Sequence, residues 1–238
     1  MRRKDLSLQW VSVNSHAVRD KNNNVLYYEG TLQDITSRKL AEEELTQLKK
    51  TLNGVVRAMS AMIEARKTGS KAHQERVSKL AGAIAQEMGL ARDAIEGIMI
   101  AGLIHDIGTV SVPAEILNKP TGLNEMEFGL VKMHSQTGYD ILKDAGLPYP
   151  VSIVVLQHHE RLNGSGYPIG LHSIEILLES RIMAVADVVE AMASNRPHRA
   201  ALGISTALNE IKKNKDTLYD AGVVDACLKL FREKKFNF

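Results

Sequence analysis

The sequence predicts a mainly α protein: a helical bundle preceded by a short N-terminal β segment and a connecting helix. Three observations carry that prediction. Apolar and polar residues alternate in LQWVSVNSHAV, and VLYYEGTLQDI is again rich in β-favouring residues. From about Thr36 the apolar period becomes helical and stays so to the C-terminus. Helix punctuation then recurs along the chain, with Gly89 as a stop, Asn124 and Glu127 as an Asx-x-x-Glu start, and Pro150 as an opener.

The elements follow in order. The two β runs of residues 8–35 are joined by the turn RDKNNNV. Two or three strands bury too little surface to stand alone in water, so this segment needs a cover. Leu45, Leu48, Leu52, Val55, Met59 and Met62 then follow the 3-4-3-4-3 spacing of a heptad seam. We read 37–66 as a helix that dimerises through this seam and whose second half, VVRAMSAMIEAR, runs into the next domain. QERVSKLAGAIAQEMG places Val77, Leu80, Ala81, Ile84 and Met88 on one face. RDAIEGIMIAGLIHDIG is more uniformly apolar and reads as a buried central helix. Further helices are expected after Asn124, from Pro150 through PVSIVVLQHHE, and near 175–194, 204–214 and 220–233. The division is 1–36, 37–66 and 67–238.

Bulk properties narrow the function. An apolar fraction of 44% and a charged fraction of 24% are those of an ordinary folded protein. A formal charge of +2 gives no electrostatic case for duplex nucleic acid or an anionic membrane, and neither is expected as a partner. The single cysteine, Cys227, has no partner for an internal disulfide and reads as a small buried residue, which fits a reducing cytoplasm. No apolar run approaches the ~20 residues of a membrane span; GIMIAGLI is short and leads straight into His105 and Asp106. MRRKDLSLQW lacks the apolar core of a secretory signal. A cytoplasmic location is expected.

The histidines carry the chemistry. His73, His105–Asp106, His134, His158–His159 and Asp187 fall at or near helix ends. Imidazole nitrogens and carboxylate oxygens suit iron, manganese, zinc or nickel, and no acidic triad favours a magnesium-only site. Adjacent pairs such as His105–Asp106 and His158–His159 can serve two metals at once. A metal pair roughly 3.5–4 Å apart activates water and neutralises a phosphoryl oxygen. A lone His73 or His134 would more often be a cap or core-edge residue, so the joint pattern carries the reading. His16 and His172 read as surface residues. In HHERLNGSGYP, Gly164 and Gly166 permit close backbone approach, Tyr167 offers an aromatic face and Pro168 stiffens the turn. Without the histidines this would read as a structural turn.

The pieces AGLIHDIGTVSVPAEILNKPTGL, VKMHSQTGYDIL, HHERLNGSGYPIGL and ESRIMAVADVVEAMASNRPHRAAL resemble the HD-GYP subgroup of the HD phosphohydrolase superfamily, over roughly 52–235. The resemblance implies an HD-type helical bundle holding two or three metals, commonly iron or manganese, and hydrolysis of cyclic di-GMP to pGpG or GMP. His105, Asp106, His134, His158, His159 and Asp187 match its metal ligands, with Asp106 bridging and His105 and Asp106 at the catalytic centre. His73 matches an upstream histidine of the family. Gly69 stands where three-metal members carry glutamate, so two metals are expected here. Arg196 and Arg199 match phosphate-contacting basic residues, and Thr109, Gly166, Tyr167 and Pro168 complete the expected substrate wall. Implied partners are a cyclic dinucleotide, a second copy through 37–66, and a GGDEF-domain or other signalling protein at the GYP loop.

Four positions depart from the pattern. Thr109 replaces the lysine of HDIGK, Asn163 the aspartate of DGSGYP, Glu190 the second aspartate of ADVxDA, and His198 the tyrosine of RPYR. An intact metal centre with a weakened substrate grip is the expectation. A non-catalytic receptor and a hydrolase of another nucleotide, such as a mixed cyclic dinucleotide, are the alternatives. WVSVNSHAVRDKNNNVLYYEGTLQDITSRKLAEEEL separately resembles the C-terminal end of a PAS sensory domain, too short to enclose a ligand.

Overall fold

The computed structural model describes residues 9–67, 72–148, 150–195 and 199–238. The chain is mainly helical and forms two compact units, Met1–Val55 and Val56–Phe238.

In the first unit, β1 (Val11–Arg19) pairs antiparallel with β2 (Val25–Asp34), Val11 facing Asp34 and Val18 facing Tyr27. The Asp20 carboxylate closes the turn by accepting the backbone N–H groups of Asn22 and Asn24, an Asx turn. The pair leaves Val13, Tyr28 and Leu32 63%, 72% and 63% exposed.

Helix α1 (Thr36–Ala65) follows. In the second unit its end buries Val56, Ser60 and Ile63, whereas the seam residues Met59 and Met62 stay exposed. The end of α1 is therefore packed, as the second half of the predicted helix should be, but through a stripe displaced from the heptad seam. VVRAMSAMIEA carries two overlapping apolar stripes on one helix, and the one that includes Val56, Ser60 and Ile63 is the one buried.

The bundle that follows comprises α2 (His73–Glu87), α3 (Arg92–Ile104), a 3₁₀ turn (Ile107–Ser111) and the one-turn α4 (Ala114–Leu117). Then come α5 (Glu125–Lys132), α6 (His134–Leu142), α7 (Val151–Gln157), α8 (Leu178–Ala193), α9 (Ile204–Lys213) and α10 (Ala221–Glu233). Val77, Leu80, Ala81 and Ile84 of α2 are fully buried, and α2 packs on α3 and α8. Gly89, at φ 76°, ends α2: its N–H bonds Gln86 and that of Leu90 bonds Ala85, a Schellman closure. Asn124 and Glu127 form the expected capping box. Helix FGLVKMHSQTGYDIL is interrupted at Met133, so that His134 begins a new element. Cys227 is buried, and burial pushes its thiol up to about 12.

By length and mean hydropathy alone, Arg92–Ser111 would pass as a membrane span, contrary to the sequence expectation that no run comes close. The structure breaks this stretch at Ile104 into α3 and the 3₁₀ turn. Its apolar residues Ile98, Ala101 and Ile104 are fully buried in the bundle, which accounts for the hydropathy.

The start of α2 is set from α1. The Glu64 carboxylate accepts the N–H groups of Ala72 and Gln74, two donors that a helix start leaves unpaired. Ala72 is left-handed at φ 60°, a conformation that disfavours a side chain.

Candidate metal centre

Three imidazoles are aimed by their own backbone. His105 Nδ1 lies 2.9 Å from the Gly102 carbonyl, His134 Nδ1 2.7 Å from that of Val131, and His158 Nδ1 2.7 Å from that of Val155. Each ring stands at or just past the end of a helix, where carbonyls lack intrahelical partners. A carbonyl accepts only from Nδ1–H, so in the neutral ring it is Nε2 that carries the lone pair, directed away from its own helix. The Nε2 atoms of His134 and His158 face each other at 3.2 Å. Two lone pairs opposed in this way are relieved by a cation that both can share. His159 completes the cluster, its ring centroid 4.0 Å from that of His158 and 5.1 Å from that of His134.

A second cluster joins His73, His105 and Asp106. His73 is aimed by a distant group, its Nδ1 bonding Glu190 Oε2. Its Nε2 lies 3.5 Å from Asp187 Oδ1 and 3.9 Å from Asp106 Oδ2. Asp106 stands between the clusters, with Oδ2 3.6 Å from His105 Nε2 and Oδ1 3.7 Å from His134 Nε2. Gly108 makes this possible, because a Cβ there would fall 1.9 Å from the His134 carbonyl oxygen. Only glycine lets the turn after Asp106 meet α6 so closely.

Burial pushes the Asp106 carboxyl up, but the Lys67 ammonium, then His105, His134 and His73, hold it well below the usual carboxylate range. His134 is lowered by burial, partly opposed by Asp106. His158 and His159 are held well below the ordinary imidazole value, again mainly by burial and then by neighbouring imidazoles. Burial also raises Glu190, yet its bond to His73, then Ser194 and Arg76, bring it down to about 2. The result is an ionised carboxylate beside three imidazoles, His134, His158 and His159, that burial holds in the neutral form. That donor set, with opposed lone pairs at its centre, fits divalent ions of borderline softness.

Beside the clusters lies a cleft of about 460 Å³, lined among others by Lys67, Thr109, Phe128, His159 and Tyr167. This is within the usual range for a small-molecule site. The Tyr167 ring lies 4.6 Å from that of His159, tilted by 31°. Burial raises the Tyr167 phenol, which stays protonated at neutral pH. Thr109 is buried and its Oγ1 has no hydrogen-bond partner among the described residues.

The GYP loop is held by Glu160, a buried carboxylate that accepts the N–H groups of Ile169, Gly170 and Leu171. Gly164, at φ 76°, packs against His172, and a Cβ there would fall 2.3 Å from Nε2. His172 is exposed, as read, but serves this loop. Gly166 lies against the Glu160 backbone; neither it nor the exposed Pro168 lines the cleft. Asn163 Oδ1 accepts from Ser165 N and Oγ, a turn-forming role that an amide oxygen fills as well as a carboxylate does. Arg199 donates to the Ala191 carbonyl at the cleft wall. Arg196, His198 and Gly69 lie outside the described residues.

Four residues were missed or underread. Glu190 was noted only as a departure, although its place three residues after Asp187 put both on one face of α8. Glu160 follows the histidine pair and Gln74 follows His73, whereas Lys67 has no local signature. Gln74 Nε2 and Lys67 Nζ both donate to Asp106 Oδ2, at 3.0 and 2.5 Å.

Residues 57–223 match the family model described as HD domain. A cyclic di-GMP phosphodiesterase of Thermotoga maritima is 39% identical over 197 residues, covering 82% of this chain and 54% of that protein. A 3′3′-cGAMP-specific phosphodiesterase of Vibrio cholerae is 32% identical over 203 residues, 84% of this chain and 44% of its own. The chain thus spans about half the length of these relatives. An HDG"Y"P protein from Bdellovibrio bacteriovorus shares the fold, with a TM-score of 0.56 at 18% identity over 67% of this chain and 51% of that one.

Proposed function

Because the chain belongs to the HD domain family, we propose that it is a metal-dependent phosphodiesterase that hydrolyses cyclic di-GMP to pGpG or GMP. One observation carries the reading: the ionised Asp106 turns one oxygen toward each of two clusters of imidazole donors, at the edge of a cleft of substrate size. His73, His105, Asp106 and Asp187 would hold one ion, and His134, His158 and His159 with the other oxygen of Asp106 a second. Iron or manganese is preferred, then zinc or nickel. Such ions would neutralise the phosphate and acidify water.

The chain's own residues bind and orient. Glu190 fixes the tautomer and direction of His73, as the backbone carbonyls do for His105, His134 and His158. Tyr167 and Phe128 give the cleft an aromatic wall suited to a nucleobase. Among the described residues, Thr109 offers a hydroxyl without a partner, and Arg199 donates one of its N–H groups to Ala191. Arg196 is assigned to a substrate phosphate on resemblance alone.

The N-terminal strand pair is read as the end of a PAS domain, and α1 as a dimer helix. Its seam residues Leu45 and Leu48 are 57% and 66% exposed, and Met62 is 71% exposed. The buried thiol of Cys227 agrees with a cytoplasmic location, and the GYP loop is offered as the surface for a signalling partner such as a GGDEF domain.

The test is product-resolved turnover of cyclic di-GMP by anaerobically purified protein loaded with Fe(II) or Mn(II). Appearance of pGpG or GMP, lost in Asp106→Asn, supports the enzyme. Turnover of cyclic GMP-AMP instead, as the name of the Vibrio cholerae relative suggests, would replace the substrate. No product from any cyclic dinucleotide would make the protein a receptor.

A further inference from the structure

Thr109 leaves the cleft without the basic side chain that its family pattern puts at that position. A cation nevertheless reaches the same space from another element. Lys67 stands two residues beyond α1 and its Nζ lies 2.5 Å from Asp106 Oδ2. It lines the cleft together with Thr109, and among the described residues that line it, Lys67 is the one lysine or arginine.

Its position is built. Arg66, the preceding residue, donates to the Val112 carbonyl and accepts from Asn118 Nδ2 on its own carbonyl, both 46 or more residues away. The Lys67 N–H bonds Glu64. These contacts tie the backbone before the lysine to the far side of the His105–Asp106 turn, and the side chain extends over the cleft.

Building on the phosphodiesterase reading, we infer that Lys67 is a substrate-phosphate cation of this enzyme, replacing from the end of α1 the charge that Thr109 lacks. The ion pair with Asp106 fits that role. An ion held by Asp106 would set a second positive charge beside the ammonium, and repulsion would favour a lysine turned into the cleft it already lines. A lysine needs an anionic partner there, and its flexible stem permits the movement. The Thr109 hydroxyl, buried without a partner among the described residues, adds a neutral donor to the same phosphate.

The experiment compares orthophosphate binding, by calorimetry, to the Mn(II)-loaded full chain and its K67M, K67R and K67M/T109K variants, with manganese content measured on the same samples. K67M should weaken orthophosphate about tenfold at unchanged manganese content, since a charge-assisted bond is lost. The KM for cyclic di-GMP should rise by a similar factor, with kcat changed less. K67R should retain binding, and T109K should restore it in the K67M background. Equal binding by wild type and K67M, no binding by wild type, or loss of manganese with K67M would each overturn the inference. Lys67-dependent phosphate binding without cyclic di-GMP turnover would instead reject the substrate while leaving the role of Lys67 in place.

Discussion

His134 and His158 are oriented by carbonyl oxygens three residues back in the chain, whereas His73 is oriented by Glu190, 117 residues away. The cluster of His134, His158 and His159 is uncharged, and its cohesion depends on what lies between its nitrogens. The cluster around His73 and Asp106 already balances charge through Lys67 and Arg76, and Gln74 adds a neutral hydrogen bond to Asp106. The first is a set of opposed lone pairs that a cation would relieve. The second is an ion network that a cation would rearrange. The two should therefore fail in different ways.

The largest effect is expected where they meet. Asp106→Asn keeps the shape but removes the charge shared by both clusters, and turnover should fall by roughly 10³-fold, with metal content reduced at both positions. Metal analysis beside the rate checks this; loss of a single ion would break the claim that Asp106 serves both. Glu190→Gln acts on one side only. Metal affinity at the His73 side should drop by about 10–100-fold, the usual effect of removing a partner that orients a ligand, while the other ion stays. Gly108→Ala is the counterpart, pressing a methyl on the His134 carbonyl. It should cost about 1–3 kcal/mol in denaturant unfolding and disturb the imidazole cluster first.

Acidity sharpens the contrast further. His134, His158 and His159 are depressed below 6.5 in the folded protein, so the unfolded chain gains protons that the folded one refuses as pH falls through that value. Metal-free protein should lose stability from about pH 6.5 downward, by on the order of 1.4 kcal/mol per pH unit for each ring that stays neutral. Asp106, depressed below 3.8, keeps its contribution until far lower pH. The smallest effect is Ala72→Gly beside His73, which relieves a left-handed alanine and should stabilise by about 0.5–1 kcal/mol in thermal unfolding.

What was legible in the sequence follows the same division. Helix starts and stops at Gly89 and Asn124 are local chemistry, and they were placed correctly. His105, His134 and His158 could be grouped because each marks the end of a helix. Lys67 and Gln74 act on Asp106 across tens of residues, a proximity that only folding creates. Glu190 was half legible, by its spacing from Asp187. In α1, two apolar stripes overlap on one helix, and periodicity cannot say which of them the bundle takes.

The hold of Glu160 on the GYP loop has a consequence for how this protein can be altered. The carboxylate meets Ile169 and Leu171 through main-chain N–H groups, which every amino acid except proline supplies. The loop's shape is thus encoded at one buried position, and the side chains at 169 and 171 are left open to variation. A library randomised there would explore new surface chemistry on an unchanged frame, and would fail wherever it introduced proline.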